Sequence, residues 1–252
     1  MKPVILCAMP ASSNFQEAIR EAQSSALVGP NVVNKALPYV GGGMVLTAGG
    51  VMGGLALLAS NPASFIPLFW VALIGNFILF FVAQNVALKA NNSTALPLMA
   101  AYSLITGFTL SGIVALAIGT AGIGAIGTAA LATGVTFVAA SVMGRRMSDS
   151  VGQALSGVVG LGILGLVIAM VVQIVGGIFV PGFGMGGMEL LIAGFGTVIF
   201  VGAAFVDFYT MPRTYSDDQY LAGALSMYLT YINLFIFILR LVIALNGGGR
   251  RD

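Results

Sequence analysis

The sequence predicts an all-α integral membrane protein with seven transmembrane helices. Composition carries the first half of that reading. Hydrophobic residues make up 58 % of the 252 residues, charged residues only 7 %, and mean hydropathy is +1.03. A water-soluble domain carries about 25 % charged residues, so this chain cannot cover a surface facing water. The second half is segmental. Seven apolar stretches each reach the ~17–25 residues that a spanning helix needs.

The stretches are 39–60, 64–88, 95–118, 121–143, 152–177, 190–211 and 220–245, and together they define one transmembrane domain over 39–245. Residues 1–38 are a more polar segment at the cytoplasmic face or membrane interface, and 246–252 form a short polar tail. Ser13-Asn-Phe-Gln16 has capping-box spacing. Phe15, Ile19, Ala22 and Ala26 share one helical face, which predicts a short amphipathic helix before the first span. Met1-Lys2-Pro3 is followed by an apolar run too short for a signal-peptide core. Asn61-Pro62, Asn91-Asn92-Ser93, Arg145-Arg146-Met-Ser-Asp149 and Pro212 to Asp218 mark turns between spans. The third and fourth spans are divided only by a glycine-rich stretch, Gly119 to Gly124.

Orientation follows from the basic residues. With the N-terminus in the cytoplasm, Lys2, Arg20, Lys35, Lys89, Arg145, Arg146 and Arg213 all lie inside, and the outer loops carry none. Arg250 and Arg251 break the pattern if the last segment spans, and fit it if that segment is re-entrant. Low charge and short loops point to a bacterial plasma membrane. In the first span, Gly49/Gly53 and Gly50/Gly54 form overlapping GxxxG pairs. Small residues let helices approach closely in lipid, within one bundle or between two copies.

The chain has no His and a single Cys, Cys7. His/Cys metal centres, haem ligation by His and internal disulfides are thereby excluded. Scattered basic residues give no nucleic-acid footprint. Asp207 is the one acidic residue well inside an apolar stretch, and Glu189 sits at the outer edge of the same one. A carboxylate in hydrocarbon costs ~2.5–3.5 kcal/mol on insertion scales, so it faces a bundle interior or a wet cavity. Its location four or five residues from the inner end places it ~6–8 Å deep. Thr230 lies ~15 Å along the last span and can approach it. Arg240 lies ~30 Å along, near the outer face, and reads as a snorkelling anchor. Lys89, at the inner end of the second span, is positioned as a counter-charge for Asp207. Asn76, Gln84, Ser103, Thr106, Gln173, Asn233 and other polar residues inside the spans fit either interhelical hydrogen bonds or the lining of a hydrated path.

Three segments carry a resemblance. Tyr102-Ser-Leu-Ile-Thr-Gly-Phe-Thr-Leu-Ser-Gly112 is one, and Thr136-Phe137 with Arg145-Arg146-Met-Ser-Asp149 and Gly152 is another. The third and most specific is Gly223 to Leu241, with Met227-Tyr-Leu-Thr230-Tyr-Ile-Asn233 at its centre. They resemble the Bax-inhibitor family, also called the lifeguard or YccA-like family, over roughly residues 40–245. The resemblance implies a fold in which six helices surround a central seventh. It implies either a pH-sensitive calcium leak or, as in a bacterial branch, a restraint on an ATP-dependent membrane protease. In channel-like members, paired aspartates on the sixth and seventh helices sit near a basic residue of the second. Those positions fall on Asp207, Thr230 and, approximately, Lys89. Thr230 therefore replaces the second aspartate, and Asp207-Phe-Tyr stands where the family has Asp-Thr-Gln. Two close carboxylates share a proton because both cannot ionise. One carboxylate facing a hydroxyl lacks that repulsion, so pH gating of the family type is expected to be weakened or lost.

Two functions compete. One is a passive calcium or cation leak through a gate formed by Asp207, Thr230, Lys89 and Asn233. The other is a non-transporting regulator whose first 38 residues bind a membrane protease or a larger membrane complex. An enzyme is not expected, because the Ser and Thr residues have no His base and no intramembrane acid pair exists. No cofactor and no metal site is expected.

Overall fold

A computed structural model describes residues 27–180 and 187–247. The expected amphipathic helix at Ser13–Ala26 lies outside the described residues. The described chain forms seven long helices and no strands: α1 Val32–Ser60, α2 Pro62–Leu88, α3 Asn92–Ala121, α4 Gly124–Met143, α5 Asp149–Phe179, α6 Gly187–Thr214 and α7 Tyr220–Gly247. A single 3-10 turn, Gly144–Arg146, follows α4. All seven are long and apolar enough to cross a membrane.

Local chemistry sets the boundaries. The Asn61 side chain accepts from the Ser64 amide at 3.2 Å, and Pro62 occupies the first helical position of α2, where its missing N–H costs nothing. Asn91 caps α3 in the same way. The division between α3 and α4 is a single kink at Gly122, whose φ of 78° suits glycine. The first helix begins at Val32, seven residues before the expected start at 39, where the Asn31 amide is held by Asp217 of the connection between α6 and α7. The last segment is one uninterrupted helix of 28 residues, without the break a re-entrant segment requires.

Burial separates centre from rim. On α7, Leu221, Leu225, Met227, Tyr228, Leu234 and Leu239 are wholly enclosed. On α2, by contrast, only Phe65, Ala83 and Ala87 are buried, while Trp70, Val71 and Phe77 are exposed. An apolar outer surface of this kind is the expected face towards lipid. The central α7 packs against α1, α2, α3, α4 and α6. The remaining helix, α5, packs on α6 rather than on α7.

Small residues decide how closely the rim helices approach. Gly50 and Gly54 of α1 face α3, where a Cβ on Gly50 would collide with the Leu104 carbonyl oxygen, and Gly107 of α3 meets the Thr47 carbonyl. Gly49 and Gly53 face open space. One GxxxG pair thus serves packing inside the bundle and the other does not. Beside this contact lies a buried polar cluster. Thr47 Oγ1 lies 2.8 Å from the Gly43 carbonyl and meets the Tyr228 hydroxyl. Ser103 donates to Met99 O at 2.9 Å, and Asn76 donates to Thr106 at 2.9 Å. Tyr102 stands edge-on to Tyr228, with centroids 5.7 Å apart.

Candidate functional site: the groove between α5, α6 and α7

Because α5 leans on α6, its other side does not close against α7. A groove of about 590 Å³ remains between the three helices. Its α7 wall carries Ser226, Thr230, Asn233, Phe237 and Arg240. Steps of four, three, four and three residues put these on one helical face. Facing them is an apolar wall from α5, including Val159, Ile163 and Leu166, and α6 contributes Asp207. From Ser226 to Arg240 the groove follows α7 for ~21 Å at 1.5 Å per residue, most of a hydrocarbon core.

Asp207 is half-buried, and its Oδ2 has no hydrogen-bond partner among the described residues. The Thr230 side chain faces its carboxyl group. A carboxylate oxygen left unpaired in an apolar wall is costly, and Oδ2 is itself shut off from the surface, so this carboxyl group carries an unrelieved desolvation cost. Asn233 donates its amide to Leu229 O at 2.9 Å and lines the groove one turn further along. Behind Asp207 stands Tyr215, in the short connection between α6 and α7. Burial raises the Tyr215 phenol above its ordinary value, so it stays a neutral hydroxyl between Ser226 and Gln84. Gln84 Nε2 reaches it at 3.5 Å.

The structure brings Asp207, Thr230 and Asn233 together along one groove. It does not bring Lys89 to them. Lys89 is exposed at the C-terminal cap of α2, lines no part of the groove, and makes no ion pair among the described residues. The residue that α2 sends to Tyr215, behind Asp207, is Gln84, five positions earlier and part-buried. Arg240 also differs from expectation. It is no isolated anchor: its Nε and Nη2 donate to the two oxygens of Glu189 at 2.8 and 2.9 Å, and Gln173 of α5 donates to Glu189 Oε2 at 2.9 Å. Equal depth was the available signal, since Glu189 opens α6 and Arg240 lies near the same end of α7.

At the end of the bundle that carries the α6–α7 connection, two arginines are held in place. Arg213 pairs with Asp149 at 2.9 Å and lies 4.0 Å from the Tyr209 ring centroid, while Arg145 donates to Asn34 at 3.0 Å. The α6–α7 connection gathers three helix ends. Asp217 accepts from the Asn31 amide at 2.9 Å, Asn92 donates to Asp218 O, and Gln219 donates to Leu88 O. Gly29 donates to Pro212 O at 3.0 Å, in a contact so close that a Cβ would strike the Tyr215 carbonyl. Among the described residues no three His, Cys, Asp or Glu side chains gather as a metal cage.

Residues 29–247 match the family model described as inhibitor of apoptosis-promoting Bax1. The chain belongs to the Bax inhibitor family. A membrane protein of Streptococcus pyogenes serotype M1 without an assigned function is 30 % identical over 194 residues, covering 74 % of this chain and 77 % of that one. A protein of Lactococcus lactis is 31 % identical over 207 residues, with coverage of 78 % and 79 %. Bax inhibitor 1 of Schizosaccharomyces pombe is 38 % identical over a shorter stretch of 55 residues, about a fifth of each chain. In this chain Thr230 faces Asp207.

Proposed function

We propose that this Bax inhibitor family member is a passive leak pathway for calcium or other cations, with the groove between α5, α6 and α7 as its route. The observation that carries the proposal is the polar stripe Ser226–Thr230–Asn233 on α7, facing an aspartate whose Oδ2 has no protein partner. A negative charge beside a hydrated path lowers the barrier for a cation and raises it for an anion. Gating follows from the same pair of side chains. Thr230 cannot share a proton with Asp207, so the two-carboxylate switch is absent and flux follows at most the titration of one group. Lys89 has no part in this scheme, because it stands outside the groove.

The test is calcium flux into liposomes carrying the purified protein, across a pH series spanning neutrality, with Asp207→Asn in parallel. Flux that falls in the variant supports the leak. A cooperative two-proton pH profile would contradict the role given to Thr230. Folded protein with no flux above that of empty liposomes would move the assignment to a non-transporting regulator acting through the first 38 residues. Deleting residues 1–35 would then abolish co-purification of a partner such as a membrane protease.

A further inference from the structure

The groove ends differently at its two extremities. Near Asp207 its walls begin at Ser156 of α5 and Ser226 of α7. At the far end, the α7 wall finishes at Arg240, the α5 wall at Met170, and the α6 wall at Phe200. Immediately beyond Met170 comes Gln173, which grips Glu189 of α6, and Glu189 takes both donors of Arg240. This cluster ties α5 to α7, two helices that otherwise pack through α6. Just inside it, Phe200 and Phe237 are stacked, with centroids 5.4 Å apart and ring planes 17° apart. The Phe237 ring presses on Gly196, where a Cβ would collide with it, and Arg240 covers its other side at 5.7 Å. An apolar ring pair and a neutralised ion pair thus follow one another at this end of the polar stripe. A hydrophobic constriction can gate a path by excluding water.

We propose that the Glu189–Arg240 ion pair, held by Gln173 and backed by the Phe200–Phe237 stack, is a lock that closes the groove at the end remote from Asp207. The pair is suited to the task. Its two side chains are partly shielded, at 16 % and 32 % exposure, so their attraction is less screened than at an open surface. They also come from different helices, so separating α6 from α7 at this end breaks the lock without unwinding either. The proposal extends the leak reading by naming where the pathway is shut. Its test does not depend on ion movement.

Cys7 is the only cysteine, so a Cys7→Ser background makes single-cysteine labelling clean. Thr230→Cys is placed inside the groove and challenged with a small membrane-impermeant methanethiosulfonate added to the side that Glu189 faces. Labelling is expected to be slow with the pair intact and roughly tenfold or more faster in Glu189→Gln/Arg240→Gln. The exchanged pair, Glu189→Arg with Arg240→Glu, is expected to return labelling to the slow rate. Equal rates with and without the pair would overturn the lock, as would an exchanged pair that labels as fast as the neutral one. If the double-neutral variant does not fold, Arg240→Lys carries the same comparison, since it keeps the charge and loses the two-point grip. Faster labelling in that variant supports the lock, and an unchanged rate contradicts it.

Discussion

The two faces of α7 use similar residues for opposite purposes. Towards α1 and α3, Tyr228 meets Thr47, Ser103 and Thr106 in a packed interior, where helix backbones touch through Gly50 and Gly107. Towards α5, Thr230 and Asn233 face a groove, and Asp207 keeps an oxygen unpaired. Polar side chains in lipid therefore do not define a path by being there. A groove needs an absent neighbour, and here that neighbour is α5, which packs against α6 through contacts such as Ile199 on Gly162 and Val159 on Gly202.

The largest predicted effect breaks the closed face. Gly107→Val puts side-chain atoms into the Thr47 carbonyl and costs ~3 kcal/mol or more, enough to remove most folded protein from a detergent extract. Gly49→Val, on the opposite side of α1, faces open space and stays within about 0.5 kcal/mol of the parent. Thermal unfolding of the two side by side checks the contrast. Next comes Asp207→Asn. Removing a charge beside the path is expected to lower calcium flux at least about tenfold, because a unit charge at ~4 Å contributes about 4 kcal/mol at an effective dielectric near 20. Stability is expected to hold or rise, since the costly buried charge is gone. Tyr228→Phe is smaller. It strips the hydroxyl from the buried cluster and lowers stability by about 1–2 kcal/mol with flux retained. Lys89→Ala is the smallest, with flux within roughly twofold of the parent, because a screened surface charge outside the groove acts weakly. A tenfold change there would restore Lys89 to the site.

Much of this was legible before any coordinates. Seven apolar stretches, Asn–Pro and Asn–Asn turns and a glycine break place the helix ends to within three residues, the start of α1 excepted, because lipid forces every backbone group to be satisfied inside the helix. Thr230, Asn233 and Arg240 were visible in the sequence as polar residues of the last span, though not as one stripe. Whether a polar face meets protein or empty space depends on the rotation and lean of a neighbouring helix, and for α5 those follow from which glycine accepts which side chain. Lys89 shows the same limit. It has the right helix end, but Gln84 has the inward rotation. The Glu189–Arg240 pair needed one further step, matching two residues at equal depth on antiparallel helices.

The most direct test sets the two faces against each other in one experiment: calcium flux and melting temperature, measured together, for Asp207→Asn and Tyr228→Phe in the same liposomes and detergent. The account predicts that Asp207→Asn loses flux and keeps its melting temperature, while Tyr228→Phe loses melting temperature and keeps flux. Unchanged flux in Asp207→Asn, or equal loss of flux in both variants, would contradict the assignment of the pathway to the open face of α7.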